Sequence, residues 1–259
     1  MVTAAADRCH IMMKSFSYDL HIHSCLSPCG SEEMTPATIA GMAAVKGLEV
    51  AALTDHSSCK NCPAFMKAAE FYGITGIPGM ELTTSEEVHV LCLFPTLEAA
   101  MDFDGYIHTQ LPEVENSEAI FGSQLVMDED DNITAREPYL LINATSVSFD
   151  SVFDLVGRYG GVMVPAHLDK STTSLLSNLG FIPPDSRFTT AEIHNKENIL
   201  PLLERHEYLR KCRILTSSDA HYLKDISEPV NFLHAEERSA AAVISALRSA
   251  QTERREPRA

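Results

Sequence analysis

The sequence predicts an α/β protein whose parallel sheet is covered by helices. Strand-like stretches that are apolar on both faces alternate with helix-like ones, which is the pattern of a sheet buried on both sides. A chain of 259 residues with 45% apolar content is normal for a single α/β barrel and ample for its core. Histidines and carboxylates gather in short clusters, each ending a strand-like stretch.

Residues 1–15 mix small and polar residues without a steady period and read as a loose leader, ahead of one barrel domain over 16–250. Residues 17–23 form the first predicted strand. Thr35 is a plausible N-cap with Pro36 at the first helical position; that helix runs to Lys46 and stops at Gly47. Residues 48–54 are a near-continuous apolar strand. Pro63 opens a helix that Gly73 closes, and residues 74–78 lead into a short strand bearing Glu81. A strand over 88–94 and a helix over 95–109 follow.

The rhythm breaks at about 112–141, where an acidic turn at 128–132 lies between residues 124–127 and 139–142. This stretch reads as an insertion, a hairpin or a lid. Alternation resumes with a helix at 149–159, strands at 162–166 and 190–194, a helix at 198–211 and a strand at 213–217. A strand at 230–234 and a helix at 238–250 complete it, leaving a frayed polar tail at 251–259.

Charge narrows the function. Twenty basic residues against 36 acidic ones give a net charge of −16, which disfavours a long nucleic-acid partner because such binding needs a basic surface to displace counterions. A small anionic substrate held by metal ions remains compatible. No segment has the composition of a signal peptide, and the apolar runs, such as 88–94, are far shorter than the roughly 20 residues that cross a bilayer. A cytoplasmic protein without a membrane partner is expected. Seven cysteines, an odd number, argue against a disulfide framework and leave reduced thiols or metal ligands.

The clusters carry the chemistry. His21 and His23 are two apart on a strand, so both face one side and can grip one ion, unless they are chance residues of a half-buried strand. In LTDH, Asp55 can cap the strand end as an Asx-turn, orient His56 as a ligand, or do both. Glu81 follows a Pro-Gly turn, where a carboxylate can bridge two cations or simply be exposed. His89 lies in an apolar strand; alone it reads as a core histidine, beside Glu81 as a ligand. His167 ends the strand GVMVPAH, and Asp219 and His221 stand two apart in SDAH.

In their order and spacing, DLHIHS, LTDH, GMEL, EVHVL, PAH and SDAH resemble the motifs of the PHP (polymerase and histidinol phosphatase) family of metal-dependent phosphoesterases, over residues 19–221. The resemblance implies a distorted (β/α)7 barrel with its metal site at the C-terminal ends of the strands, where barrel enzymes place their chemistry. It implies two or three divalent metal ions, Mn, Zn or Fe. His21, His23, Glu81 and Asp219 would hold the first; Glu81 would bridge to a second with His89 and His167. His56, His221 and a residue of the loop after HIH would hold a third. Family members commonly place Asp or His in that loop, and here Cys29 stands nearest. A metal-bridging hydroxide held by Glu81 and Asp219, with Asp55 supporting from behind, would attack phosphorus.

Lys170, three residues after His167, and Lys60, four after His56, are candidate phosphate contacts, with solvated lysines as the alternative. Cys25, Cys29, Cys59 and Cys62 could converge on a structural zinc, or Cys29 could join the site, or all could be inert thiols. The implied activity is hydrolysis of a phosphoester of a small phosphorylated metabolite or nucleotide. Amidohydrolase-type cleavage of a C–N or ester bond, and a non-catalytic metal- or cluster-binding regulatory module using the loop cysteines, are the alternatives.

Overall fold

The computed structural model describes residues 13–249. The tail at 251–259, and the leader at 1–15 except for its last three residues, lie outside the described residues.

The opening half builds a parallel unit. β1 (Lys14–Asp19), β2 (Val50–Leu53) and β3 (Thr75–Thr83) pair in parallel, connected by α1 (Pro36–Val45) and α2 (Cys62–Tyr72). Pro occupies the first turn of both helices, and Gly73 ends α2 in the left-handed conformation at φ 72°. Thr35 caps α1 as expected. Its hydroxyl donates to Asp131 Oδ2 at 2.6 Å and accepts from the Thr38 amide, while the Thr38 side chain reaches back to the Thr35 amide. Thr35→Ala is therefore expected to cost about 1 kcal/mol, lowering the melting temperature by about 2–4 °C in a thermal unfolding scan.

β4 (His89–Leu93) departs from the expected parallel sheet. It runs antiparallel to β3, because residues 84–88 are a hairpin turn, far too short for the crossover that a parallel neighbour needs. The chain continues through α3 (Leu97–His108), α4 (Glu118–Phe121), β5 (Leu125–Met127), β6 (Ile133–Arg136), α5 (Phe149–Arg158), β7 (Val162–Pro165) and α6 (Leu175–Asn178). It closes with β8 (Thr190–Glu192), α7 (Ile199–Arg205), β9 (Arg213–Leu215), β10 (Phe232–Ala235) and α8 (Ala240–Arg248). The helix expected over 198–211 is split, since His206 takes an extended conformation at φ −121°.

One six-stranded sheet runs β10-β1-β2-β3-β4-β7, with β8 and β9 a separate parallel pair. β8 packs beside β7, and an Ile22–Ala220 bridge ties the loop beyond β9 to the end of β1, so the sheet curls into a distorted barrel. Successive residues feed opposite faces. Ala51 and Leu53 join the core under α1, α2, α3 and α5, whereas Val50 and Ala52 join the core closed by α8.

Within 112–141, β5 and β6 form an antiparallel hairpin, with Leu125 opposite Arg136. Its return arm is 133–136, not 139–142, because the acidic turn closes on itself: Asp128 Oδ1 accepts the Asp130 and Asn132 amides at 3.0 and 2.9 Å. Tyr139 bridges Glu115 instead. Among the described residues, no helix is long and apolar enough to cross a membrane.

Candidate metal centre

One end of the curled sheet brings His21, His23, His56, Glu81, His89, His167, Asp219 and His221 into one cluster: it is the C-terminal end of the parallel strands but the N-terminal end of antiparallel β4, which starts at His89. All but Asp219 and His221 are buried in the protein interior, and those two are partly buried. Glu81 is its hub. Its Oε1 lies 3.0 Å from His89 Nδ1, 3.0 Å from His167 Nε2 and 3.3 Å from His21 Nε2; its Oε2 lies 3.2 Å from His56 Nδ1 and 3.4 Å from His23 Nε2. Asp219 Oδ1 lies 3.3 Å from both His21 Nε2 and His23 Nε2. The backbone bends sharply to make this possible: Ser57, His167 and Asp219 hold φ values of 44°, 30° and 54°.

For His21, His23 and His221, hydrogen bonds on the far side of the ring decide which nitrogen faces inward. Glu192, buried, accepts from His21 Nδ1 at 2.9 Å and from the His167 amide at 3.0 Å. A carboxylate can only accept, so His21 Nδ1 carries a proton and Nε2 is the nitrogen turned toward the cluster. Ser27 donates to Asp55 Oδ1 at 2.7 Å, so it must accept from His23 Nδ1 at 2.9 Å. His221 Nδ1 donates to the Asp219 carbonyl at 2.9 Å, leaving Nε2 toward Cys29 Sγ at 3.1 Å.

This arrangement fits divalent cations. His21 Nε2 and His23 Nε2 stand 3.1 Å apart, and with both Nδ1 atoms committed as donors their lone pairs oppose each other unless a positive charge lies between. His56 Nδ1 is buried without a hydrogen-bond partner. Three groups of donors are close enough to share an ion: His21, His23 and Glu81; His56, Glu81 and His89; and His23, His56 and His221.

The electrostatics agree. Burial alone would lower His21 and His23, but the carboxylates of Asp219, Glu81 and, for His21, Glu192 outweigh it, holding His21 well above the ordinary histidine value and His23 at about 9. Burial likewise would raise Glu81, yet the surrounding histidines hold it well below the carboxylate range. His56 is pushed well below the ordinary value, and His221 down to about 4, by burial and then by the neighbouring His23. Glu81 and Asp219 thus draw positive charge onto His21 and His23, while His56 and His221 stay neutral imidazoles.

Several sequence expectations change in detail. Asp55 does not touch the His56 ring; it holds Ser24 and Ser27, and Ser27 in turn accepts the His56 amide at 3.1 Å. Lys170 Nζ pairs with Asp219 Oδ2 at the edge of the cluster, whereas Lys60 Nζ pairs with Glu137 of the segment 112–141. The four-thiol zinc site does not form. Cys25 faces Met127, Cys59 and Cys62 both point at the Gly79 carbonyl, and Cys29 faces His221; among the described residues no metal-sized donor group contains a cysteine. Glu192, Ser27 and Asn61 are parts of the centre's support that sequence reasoning passed over. Glu192 is the middle residue of the strand expected over 190–194, and only the observed β8, which stops at Glu192, puts it at a strand end.

The PHP domain pattern matches residues 19–175. No curated protein sequence matches the chain. In fold, the chain is similar to the lesion-specific endonuclease Q of Pyrococcus furiosus (TM-score 0.61, 18% identity), over 91% of this chain and 56% of that one. An endonuclease Q bound to a 27-mer duplex with an abasic lesion gives a TM-score of 0.56 and 19% identity, over 81% of this chain and 50% of that one. The chain thus spans about half the length of these endonucleases. A candidate metal-dependent phosphoesterase of Bifidobacterium adolescentis gives a TM-score of 0.53 and 18% identity, over 85% of this chain and 93% of that one. With the PHP pattern matching well over half of the chain, and with the clustered histidines and their shared carboxylate in place, the chain belongs to the PHP domain family.

Proposed function

We propose that this protein hydrolyses a phosphoester of a small phosphorylated metabolite or nucleotide, with two or three divalent ions held by His21, His23, His56, Glu81, His89, His167, Asp219 and His221. One barrel unit over 16–250, with 112–141 inserted, would carry the whole site. The observation that supports this most is the convergence of Glu81 with five imidazoles at 3.0–3.4 Å. Divalent cations bound there supply Lewis acidity toward a phosphoryl oxygen.

The protein's own side chains do the rest. Glu81 and Asp219 concentrate negative charge between the imidazoles, and Glu192 and Ser27 fix the ring orientations of His21 and His23. Lys170 holds its ammonium against Asp219 at the partly exposed edge, where it can turn to a non-bridging phosphate oxygen. The net charge of −16 favours a small substrate over a long duplex.

The test is an assay of purified protein with Mn²⁺ against phosphomonoesters, phosphodiesters, amides and a duplex with an abasic lesion. Phosphate release from small esters, lost on chelation and restored by Mn²⁺, is expected. Amide cleavage alone, or nicking of the duplex alone, would replace this reading.

A further inference from the structure

Asn61 stands at the N-cap of α2 but does not cap it. An N-cap bond from Asn is worth about 1 kcal/mol to a helix, so a fully buried Asn that forgoes it is engaged elsewhere. Its Nδ2 donates to Ser24 Oγ at 2.9 Å and to the Leu125 carbonyl at 3.0 Å, and its Oδ1 accepts the Met127 amide at 2.9 Å. The side chain therefore joins the β5–β6 hairpin to the loop that follows β1.

From Ser24 the bonds continue without a gap. Ser24 Oγ donates to Asp55 Oδ2 at 2.6 Å, Ser27 Oγ donates to Asp55 Oδ1 at 2.7 Å, and His23 Nδ1 donates to Ser27 Oγ at 2.9 Å. With the Ser24 amide and both serine hydroxyls donating to Asp55, each hydroxyl has its one hydrogen committed there, and Ser27 accepts from His23. The hairpin end is equally well fastened. Leu125 donates its amide to the Cys25 carbonyl at 2.9 Å, Leu125 and Met127 pack on Cys25, Glu137 pairs with Lys60, and Asp131 caps α1 through Thr35.

We propose that Asn61 is a positioning residue that couples the β5–β6 hairpin to the ring orientation of His23, so that an arm of the chain remote from the cluster sets the cluster's affinity for cations. The proposal rests on the reading of His23 as a ligand. By linkage the coupling is reciprocal: a cation held by His23 stiffens the hairpin.

The test is a Co²⁺ titration of the full chain, followed by visible absorption, in wild type, Asn61→Ala, Ser27→Ala and the double variant. Each single change is expected to weaken Co²⁺ binding about tenfold and to shift the absorption band, as loss of an outer partner of a metal-binding histidine does. The double variant should bind no more than about threefold more weakly than the poorer single one, because both act along one path. A folded Asn61→Ala protein with wild-type affinity and band, or a double variant whose loss is the product of the singles, overturns the coupling while leaving the phosphoesterase reading intact. Failure of the wild type to bind Co²⁺ overturns both. Hydrogen–deuterium exchange of residues 125–127 in wild type needs no variant: slower exchange with Co²⁺ is expected, and identical rates overturn the proposal.

Discussion

Glu81→Gln is expected to reduce phosphate release by at least about a thousandfold and to abolish tight Mn²⁺ binding. Both oxygens of this buried carboxylate face imidazole nitrogens, and it is ionised because the histidines around it outweigh the cost of burying it. Glutamine keeps the shape but removes the charge that the cations and the imidazoles share. Losing one preorganised electrostatic group typically costs 10²–10³ in rate, and in the proposed site this one would serve more than one ion at once. The backbone of β3 stays paired to β4 through Glu81 and Leu91, so the variant should remain folded by circular dichroism. Calorimetric Mn²⁺ titration with a steady-state assay checks it. Near-wild-type turnover in a folded Glu81→Gln protein would remove Glu81 from the centre.

Glu192→Gln should weaken cation binding about 10- to 100-fold without removing any ligand. One oxygen of Glu192 receives both the His21 Nδ1 proton and the His167 amide, so a single atom sets two histidine-bearing segments. The neutral amide is a poorer acceptor and leaves His21 less basic toward a cation. Imidazole ¹⁵N resonances report the change directly, as weaker protonation of Nδ1 on His21. Wild-type affinity with an unchanged His21 spectrum would show that Glu192 serves only packing.

Much of this cluster was legible because its histidines and carboxylates obey local rules. HIH and DAH place two side chains two residues apart, and a strand or extended loop then turns both to one side. LTDH, GMEL and PAH each sit where an apolar run ends. The supporting contacts obey no such rule. Glu192 meets His21 across 171 residues and Asn61 meets Leu125 across 64, distances that only the closed sheet spans. Asp55 is expected from the sequence to orient His56, yet its partners are Ser24 and Ser27 of the preceding loop, where serines read as ordinary turn residues.

Strand direction was the other hidden quantity. The apolar run at 88–94 has the same composition whether parallel or antiparallel, and only the brevity of 84–88 distinguishes the two. The hairpin in 112–141 was visible through its acidic turn, yet its return arm, at 133–136, is exposed throughout and gave no apolar pattern to mark it. Thiol convergence failed for a related reason. Cysteine spacing says nothing about direction, and the two pairs face different elements, the hairpin on one side and β3 on the other.

The bent backbone at Ser57, His167 and Asp219 has a consequence for how such a protein can change over time. Left-handed conformations at residues other than glycine cost roughly 1–3 kcal/mol each, against a total stability of about 5–15 kcal/mol for a typical domain. The two clusters of buried apolar residues on either face of the sheet must supply that difference. Adaptation to higher temperature in this lineage therefore has little room at the strand ends, and has to proceed through helix caps, surface loops and the packing of α8.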